Sequence, residues 1–109
     1  MRIGKVEVLG TLYDIEESNR VDDLKLENAD GYCDCSIKKI VVDTFVNTVD
    51  SQKDLVTYRN EVIRHELVHA FLHESGLGAQ SWAENEEIVD WIAKQFPKMN
   101  EAFNAIDVL

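Results

Sequence analysis

One stretch, Val62 to Gly76, constrains the fold of this chain more than any other. It reads V-I-R-H-E-L-V-H-A-F-L-H-E-S-G and contains an H-E-x-x-H pattern that runs from His65 to His69. Because each helical residue turns the chain by about 100°, side chains four residues apart lie on one face, one turn above the other. A helix would therefore present the His65 and His69 imidazoles together, where a nitrogen of each ring can reach one ion.

The apolar residues around this pattern indicate a largely buried helix. They lie in almost every direction around the helix axis: Val62, Ile63, Leu67, Val68, Ala70, Phe71 and Leu72. The alternative is an amphipathic helix whose His and Glu are merely solvated, and these surroundings argue against it. Buried imidazoles and carboxylates need partners, because an unpaired polar group costs kilocalories. The pattern therefore predicts a zinc site with His65 and His69 as metal ligands and Glu66 as general base.

A catalytic zinc ion usually has a third protein ligand and one open position. The sequence predicts a second helix from about Trp82 to Phe96, and helices joined by about five residues usually fold back as an antiparallel hairpin. At about 1.5 Å per residue, Glu86 then stands level with His69, and Asp90 stands level with His65. Glu86 is the preferred third metal ligand. Asp90 is expected to hydrogen-bond the His65 ring from behind.

Three other side chains compete for the position of the third ligand. Glu84 is expected in a capping box at the start of the second helix. Glu87 lies about 100° round that helix from Glu86. His73 is about 12 Å further along the first helix than His65, too far for three imidazoles to share one ion comfortably. His73 is instead interpreted as a residue that supports a ligand or faces the substrate, or as a cation at the helix C-terminus.

Composition and charge limit the class of protein. The 109 residues, 45% of them apolar, suit a single domain over residues 1–109. A net charge of −10 argues against a nucleic-acid interface, and no run of residues approaches membrane-spanning length. The N-terminus has no apolar signal-peptide region, so a cytoplasmic location is expected. Cys33 and Cys35 are too close in sequence to make a good disulfide and are interpreted as reduced thiols at a turn.

The remaining segments predict an α+β fold with a small antiparallel sheet packed on the long H-E-x-x-H helix. Residues 16–30 are interpreted as a loop or one short helical turn. Four strands are predicted, the first two joined at Gly10-Thr11 and the last two by a short link: Lys5–Leu9, Leu12–Ile15, Gly31–Asp34 and Lys39–Asp43.

Capping signals set the predicted ends of the helices. The first is expected from about Gln52 to Ser75, with Ser51 in a capping box and Gly76 as the stop. The second is expected to start near Trp82, after Ser81. Pro97 is expected to begin a final turn or helix that runs through Ile106.

The two motifs together resemble a known plan. H-E-L-V-H followed by N-E-E-I-V-D is similar to the gluzincin pattern H-E-x-x-H then N-E-x-x-x-D. Over roughly Arg64 to Ala93 the chain resembles the small ImmA/IrrE-like zincins of phages and mobile elements. The resemblance implies a minimal zincin-like metallopeptidase domain in which His65, His69 and Glu86 bind Zn²⁺, Glu66 is the catalytic base and Asp90 supports a ligand histidine. It also implies a protein or peptide substrate, with a repressor as one such partner.

Several expectations about the reaction remain open at the sequence level. Tyr32, Tyr58 and His73 are equal candidates to stabilise the oxyanion. A substrate strand is expected to pair with an exposed sheet edge, for which the Lys39–Val42 strand is the candidate. One alternative is a metal-binding regulatory or adaptor module without proteolysis. Another is a structural helical hairpin that binds no metal.

Overall fold

The computed structural model describes residues 1–45, 54–78 and 80–109. These residues form a four-stranded mixed sheet, one long helix that packs on the sheet and a second long helix that packs on the first. Among the described ranges, no helix combines the length and apolarity that crossing a membrane requires. The elements are β1 (Arg2–Val8), β2 (Thr11–Ser18), a 3-10 turn (Leu24–Glu27), β3 (Gly31–Asp34), β4 (Lys39–Asp43), α1 (Leu55–Glu74), a second 3-10 turn (Trp82–Glu84) and α2 (Glu86–Ala105).

The first two strands form the predicted hairpin. β1 and β2 pair antiparallel, and the two turn residues Leu9 and Gly10 both have positive φ, of 49° and 87°. Positive φ at both positions is the geometry of a tight turn whose twist matches the strands, and glycine adopts it without steric cost. β2 continues to Ser18, so the predicted loop over residues 16–30 starts too early, but its short helical turn is present at Leu24–Glu27.

The prediction of an antiparallel sheet is wrong. The strand order is β1-β2-β4-β3, and β4 runs parallel to β2, with Ile15 opposite Ile40. β3 and β4 are the expected antiparallel pair, but β4 enters between β2 and β3. That central position buries Ile40, Val41 and Val42, and a continuous apolar run is what a strand covered on both faces carries.

The core lies between the sheet and α1. Its buried residues are Val8, Tyr13, Ile15, Ile40, Val42, Val62 and Ala70. Gly31 allows α1 to approach β3 closely, because a Cβ there would lie 2.9 Å from Val62 Cγ1 and 3.1 Å from the Val41 carbonyl oxygen. The close approach holds the middle of α1 against the edge of the sheet.

The helix α1 begins at Leu55, where the Asp54 side chain accepts a hydrogen bond from the Thr57 backbone N–H. The predicted cap Ser51 and the predicted start at Gln52 lie outside the described residues. The predicted stop is confirmed: the helix ends at Glu74, and Gly76 has a φ of +86°. Glycine tolerates this left-handed conformation, which closes the end of a helix.

The start of the second helix and its predicted break at proline are both wrong. Ser81 caps only the short 3-10 turn, and Asn85 caps α2 through a hydrogen bond from the Ile88 backbone N–H. Pro97 lies inside α2, which runs unbroken to Ala105. Proline leaves the carbonyl four residues earlier without a helical donor. Here Arg64 Nε of α1 donates to that oxygen, on Ala93, at 2.7 Å.

Candidate metal centre

The helix α1 brings the two predicted histidines together beside its buried face. Val62, Glu66 and Ala70 are buried, while His65 and His69 stand at the side with side chains 20% and 23% exposed. Their ring centroids are 5.0 Å apart and their planes meet at 65°. Both Nε2 atoms are directed to the same point because the residues are one helical turn apart.

Glu86, the first residue of α2, supplies the third group. Its Oε2 lies 2.9 Å from His65 Nε2, and its Oε1 lies 3.0 Å from His69 Nε2. One atom from each of the three side chains can be chosen so that all lie within 4.8 Å of one another. The structure thus brings together the three residues that the sequence analysis named as metal ligands.

The donor types of this cluster are ones that zinc accepts. Imidazole nitrogen and carboxylate oxygen are both zinc ligands, and bonds of about 2.0–2.1 Å in a tetrahedron separate the ligand atoms by about 3.3–3.4 Å. The contacts of 2.9 and 3.0 Å, which reach different oxygens of Glu86, are shorter than that separation and are hydrogen-bond distances. Three protein ligands would leave one position free for water. The Glu86 side chain is 67% exposed, so without an ion the same contacts are hydrogen bonds to a carboxylate at the surface.

Glu66 is the buried carboxyl group of the site. Its residue is 8% exposed, and it faces the same cleft as the histidines, an open space of about 750 Å³. Burial raises the pKa of Glu66 to about 7, His65 opposes the rise, and the Glu86 carboxylate adds to it. A cation held by the three ligands would lower this pKa again. A carboxyl group in this position can accept a proton and return it near neutral pH.

Asp90 lies beside the Nδ1 atom of His65, as predicted from the positions of the two residues along their helices. Its Oδ1 is 3.4 Å from His65 Nδ1, and its Oδ2 is 3.0 Å from Lys94 Nζ. The hydrogen bond from Lys94 is the main cause that lowers the pKa of Asp90, and His65 contributes less. A negative charge at Nδ1 favours the tautomer whose Nε2 carries a lone pair, which is the form that could bind a metal ion. Lys94 was not predicted, although its spacing of four from Asp90 is a signal for this pair.

The three oxyanion candidates all line the cleft, but they differ in their hydrogen bonds. The Tyr32 hydroxyl donates to Asp23, and the Tyr58 hydroxyl donates to Asp30. His73 lines the cleft one turn beyond His69 and is not part of the ligand cluster. Both phenols are therefore already engaged, whereas the described residues offer the His73 ring no hydrogen bond.

The prediction of β4 as the edge strand for a substrate is wrong, because β4 is paired on both sides. The terminal strand beside the site is β3, and Gly31, Tyr32 and Cys33 line the cleft together with His65 and Glu66. Any strand that adds to the sheet next to the histidines would pair with β3. The order of the strands decides which one lies at the edge of the sheet, and the apolar pattern of a single strand does not reveal that order.

The two cysteines belong to this wall of the cleft. Both are free thiols, with their sulfur atoms 3.2 Å apart. Cys33 lies in β3 and Cys35 begins the turn after it, so only Cys35 is at the predicted turn. Burial raises the pKa of the Cys33 thiol well above its usual range. A thiol in that state is a poor nucleophile, so it lines the cleft as a small apolar side chain.

None of the protein-family models, curated proteins or solved structures that were compared with the chain matches it. The candidate function consequently rests on the arrangement of the side chains themselves.

Proposed function

We propose that this chain is a zinc-dependent peptidase of the small zincin type that acts on a protein or peptide inside the cell. The observation that carries the proposal is the approach of His65 and His69 to one carboxylate, Glu86, at a cleft that the buried carboxyl group of Glu66 also lines. A repressor is the substrate class that the resemblance to ImmA/IrrE-like peptidases implies.

In this proposal the residues of the chain divide the work of hydrolysis. Zinc, when bound, would polarise the scissile carbonyl and acidify water. His65, His69 and Glu86 would hold the ion, while Asp90 fixes the ring of His65. Glu66 would take a proton from water and pass it to the leaving amine. The outer edge of β3, with which no described strand pairs, would align an extended substrate by strand addition.

Metal content is the first test. Untagged protein, purified without chelator, is expected to contain about one zinc ion per chain by elemental analysis. His65→Ala, His69→Ala and Glu86→Ala should each lose it. The matched control is His73→Ala, which removes the third histidine of α1 but none of the clustered ligands, and should keep its zinc. Zinc-free wild type would support a structural hairpin instead.

Catalysis is the second test. Cleavage of a mixed peptide library, followed by mass spectrometry, should depend on zinc and stop with chelator. Glu66→Gln should retain zinc and lose about 10²-fold or more in turnover, because only the proton transfer is removed. Equal cleavage by Glu66→Gln, or no cleavage by any zinc-loaded form, would favour the metal-binding adaptor over the enzyme.

A further inference from the structure

The C-terminal half of α2 carries an apolar seam that the rest of the described chain leaves open. Apolar residues recur along α2 and at its cap residue at alternating steps of three and four, the spacing of a coiled-coil seam: Val89, Ile92, Phe96, Met99, Phe103 and Ile106. Val89 is fully buried, whereas Phe96, Phe103 and Ile106 are 52%, 43% and 71% exposed. The last four residues of this series are called the α2 seam.

The α2 seam is complementary to itself. Its steps of three, four and three read the same from both ends, so two antiparallel copies would place Phe96 opposite Ile106 and Met99 opposite Phe103. Each helix would thus meet an apolar side chain of the other at every seam position. Three of the four flanking positions are uncharged, namely Gln95, Asn100 and Ala102, and the fourth is Asp107, which an antiparallel copy would place near the neutral Gln95. Flanks of this kind allow two identical helices to approach without repulsion.

The charge distribution favours a second copy in antiparallel orientation. The whole net charge of −10 lies in residues 1–93, because Lys94 and Lys98 balance Glu101 and Asp107 in the remainder. Antiparallel pairing would leave the two acidic bodies at opposite ends of the seam, and a parallel pair would hold them side by side. Repulsion falls off over about 8 Å at physiological salt, so the antiparallel form largely avoids it.

We propose that two copies of this chain dimerise through their α2 seams in antiparallel orientation. The cleft is lined by no residue beyond Lys94, so the dimer leaves the candidate metal centre open. The dimer is thus independent of the proposed peptidase activity. Raising the salt concentration above the physiological range should not weaken the dimer, because its contact is apolar and the two bodies already lie apart.

Sedimentation equilibrium of the full chain, from about 1 µM to about 1 mM, tests the dimer. The mass should rise from 12.5 kDa towards twice that value. Phe103→Glu should weaken association about tenfold or more, since it places a charge in the seam. Phe71→Glu is the matched control, because Phe71 is also a helical phenylalanine that is 43% exposed, and it should associate like wild type. Circular dichroism should show both variants folded.

A charge pair tests the orientation. Met99→Lys alone and Phe103→Glu alone should both associate more weakly than wild type, and their mixture should regain affinity near that of wild type as a heterodimer, since antiparallel pairing sets position 99 against 103. A parallel pair sets like positions together, so in the mixture each new charge would face an apolar side chain, and affinity would stay well below that of wild type. A wild type that stays monomeric at every concentration overturns the proposal, as does a mixture without rescue. Loss of helix in Phe103→Glu would overturn it too, by showing that the same chain covers the seam.

Discussion

In the proposed site, the Asp90 carboxylate 3.4 Å from His65 Nδ1 would orient the His65 ring. Replacing its carboxylate by an amide in Asp90→Asn should lower zinc affinity about 10–100-fold, because the Nδ1 proton loses its charged acceptor. Competition with a chromogenic chelator measures the change. Glu87→Gln is the control, since it neutralises an exposed acid of the same turn that lies outside the ligand cluster. Equal affinities for the two variants would exclude a role for Asp90 at the site.

Gly31 is the residue on which the contact between α1 and β3 depends. Gly31→Ala should destabilise the protein by about 1–3 kcal/mol, because the new methyl group would meet Val62 and the Val41 carbonyl in a packed core. Gly4→Ala is the matched control, as a Cβ there has nothing within 4 Å. Urea unfolding should separate the two variants. An unchanged midpoint for Gly31→Ala would mean that α1 can retreat from the sheet without cost.

The sequence predicts the position of a single side chain only where that position follows from local geometry. The approach of Glu86 to His69 followed from the fixed rise of a helix and from a short connection. The need for glycine at position 31 could not be predicted, because it depends on which helix crosses which strand. The phenols of Tyr32 and Tyr58 were unranked for the same reason: their partners Asp23 and Asp30 come from a separate loop.

At the level of elements, α2 tolerates a proline because α1 replaces the missing donor. Arg64→Met should cost about 1–3 kcal/mol, since the Ala93 carbonyl is left without a partner. In a Pro97→Ala background the helix supplies its own N–H to that carbonyl, so the same change should cost less. Urea unfolding of the four proteins in this double-mutant cycle gives the coupling. A coupling near zero would show that Arg64 does not compensate for the proline.

The sequence predicts which strands and helices form better than it predicts which strands pair with one another. All four strands and both helices were expected, because alternation, β-branched residues and capping signals are local. The parallel β2–β4 pair was missed, since the direction of pairing depends on the path between residues 18 and 31. The run of Ile40, Val41 and Val42 was the available signal, as an edge strand rarely needs both faces apolar.

On the scale of the whole molecule, one carboxylate joins three parts of the chain. Glu74 at the end of α1 accepts hydrogen bonds from Thr11 at 2.9 Å and from Tyr13 at 2.6 Å, both on β2. Lys38, which precedes β4, donates to it at 2.9 Å. The bond from Tyr13 and then that from Lys38 lower the pKa of Glu74 to about 2. This end of α1 is therefore held to the sheet by an ionised group.

Glu74 should make stability depend on acid. Its folded pKa of about 2 lies below the ordinary value of 4.5, so the stabilisation is complete above pH 4.5 and is lost as the pH falls towards 2. Wild type should therefore exceed Glu74→Gln in urea midpoint at neutral pH, and the gap should close across that interval, because the protonated carboxyl group and the amide are both neutral. Other acids titrate in both proteins and cancel. A gap that stays constant with pH would place the contribution of Glu74 in packing and not in its charge.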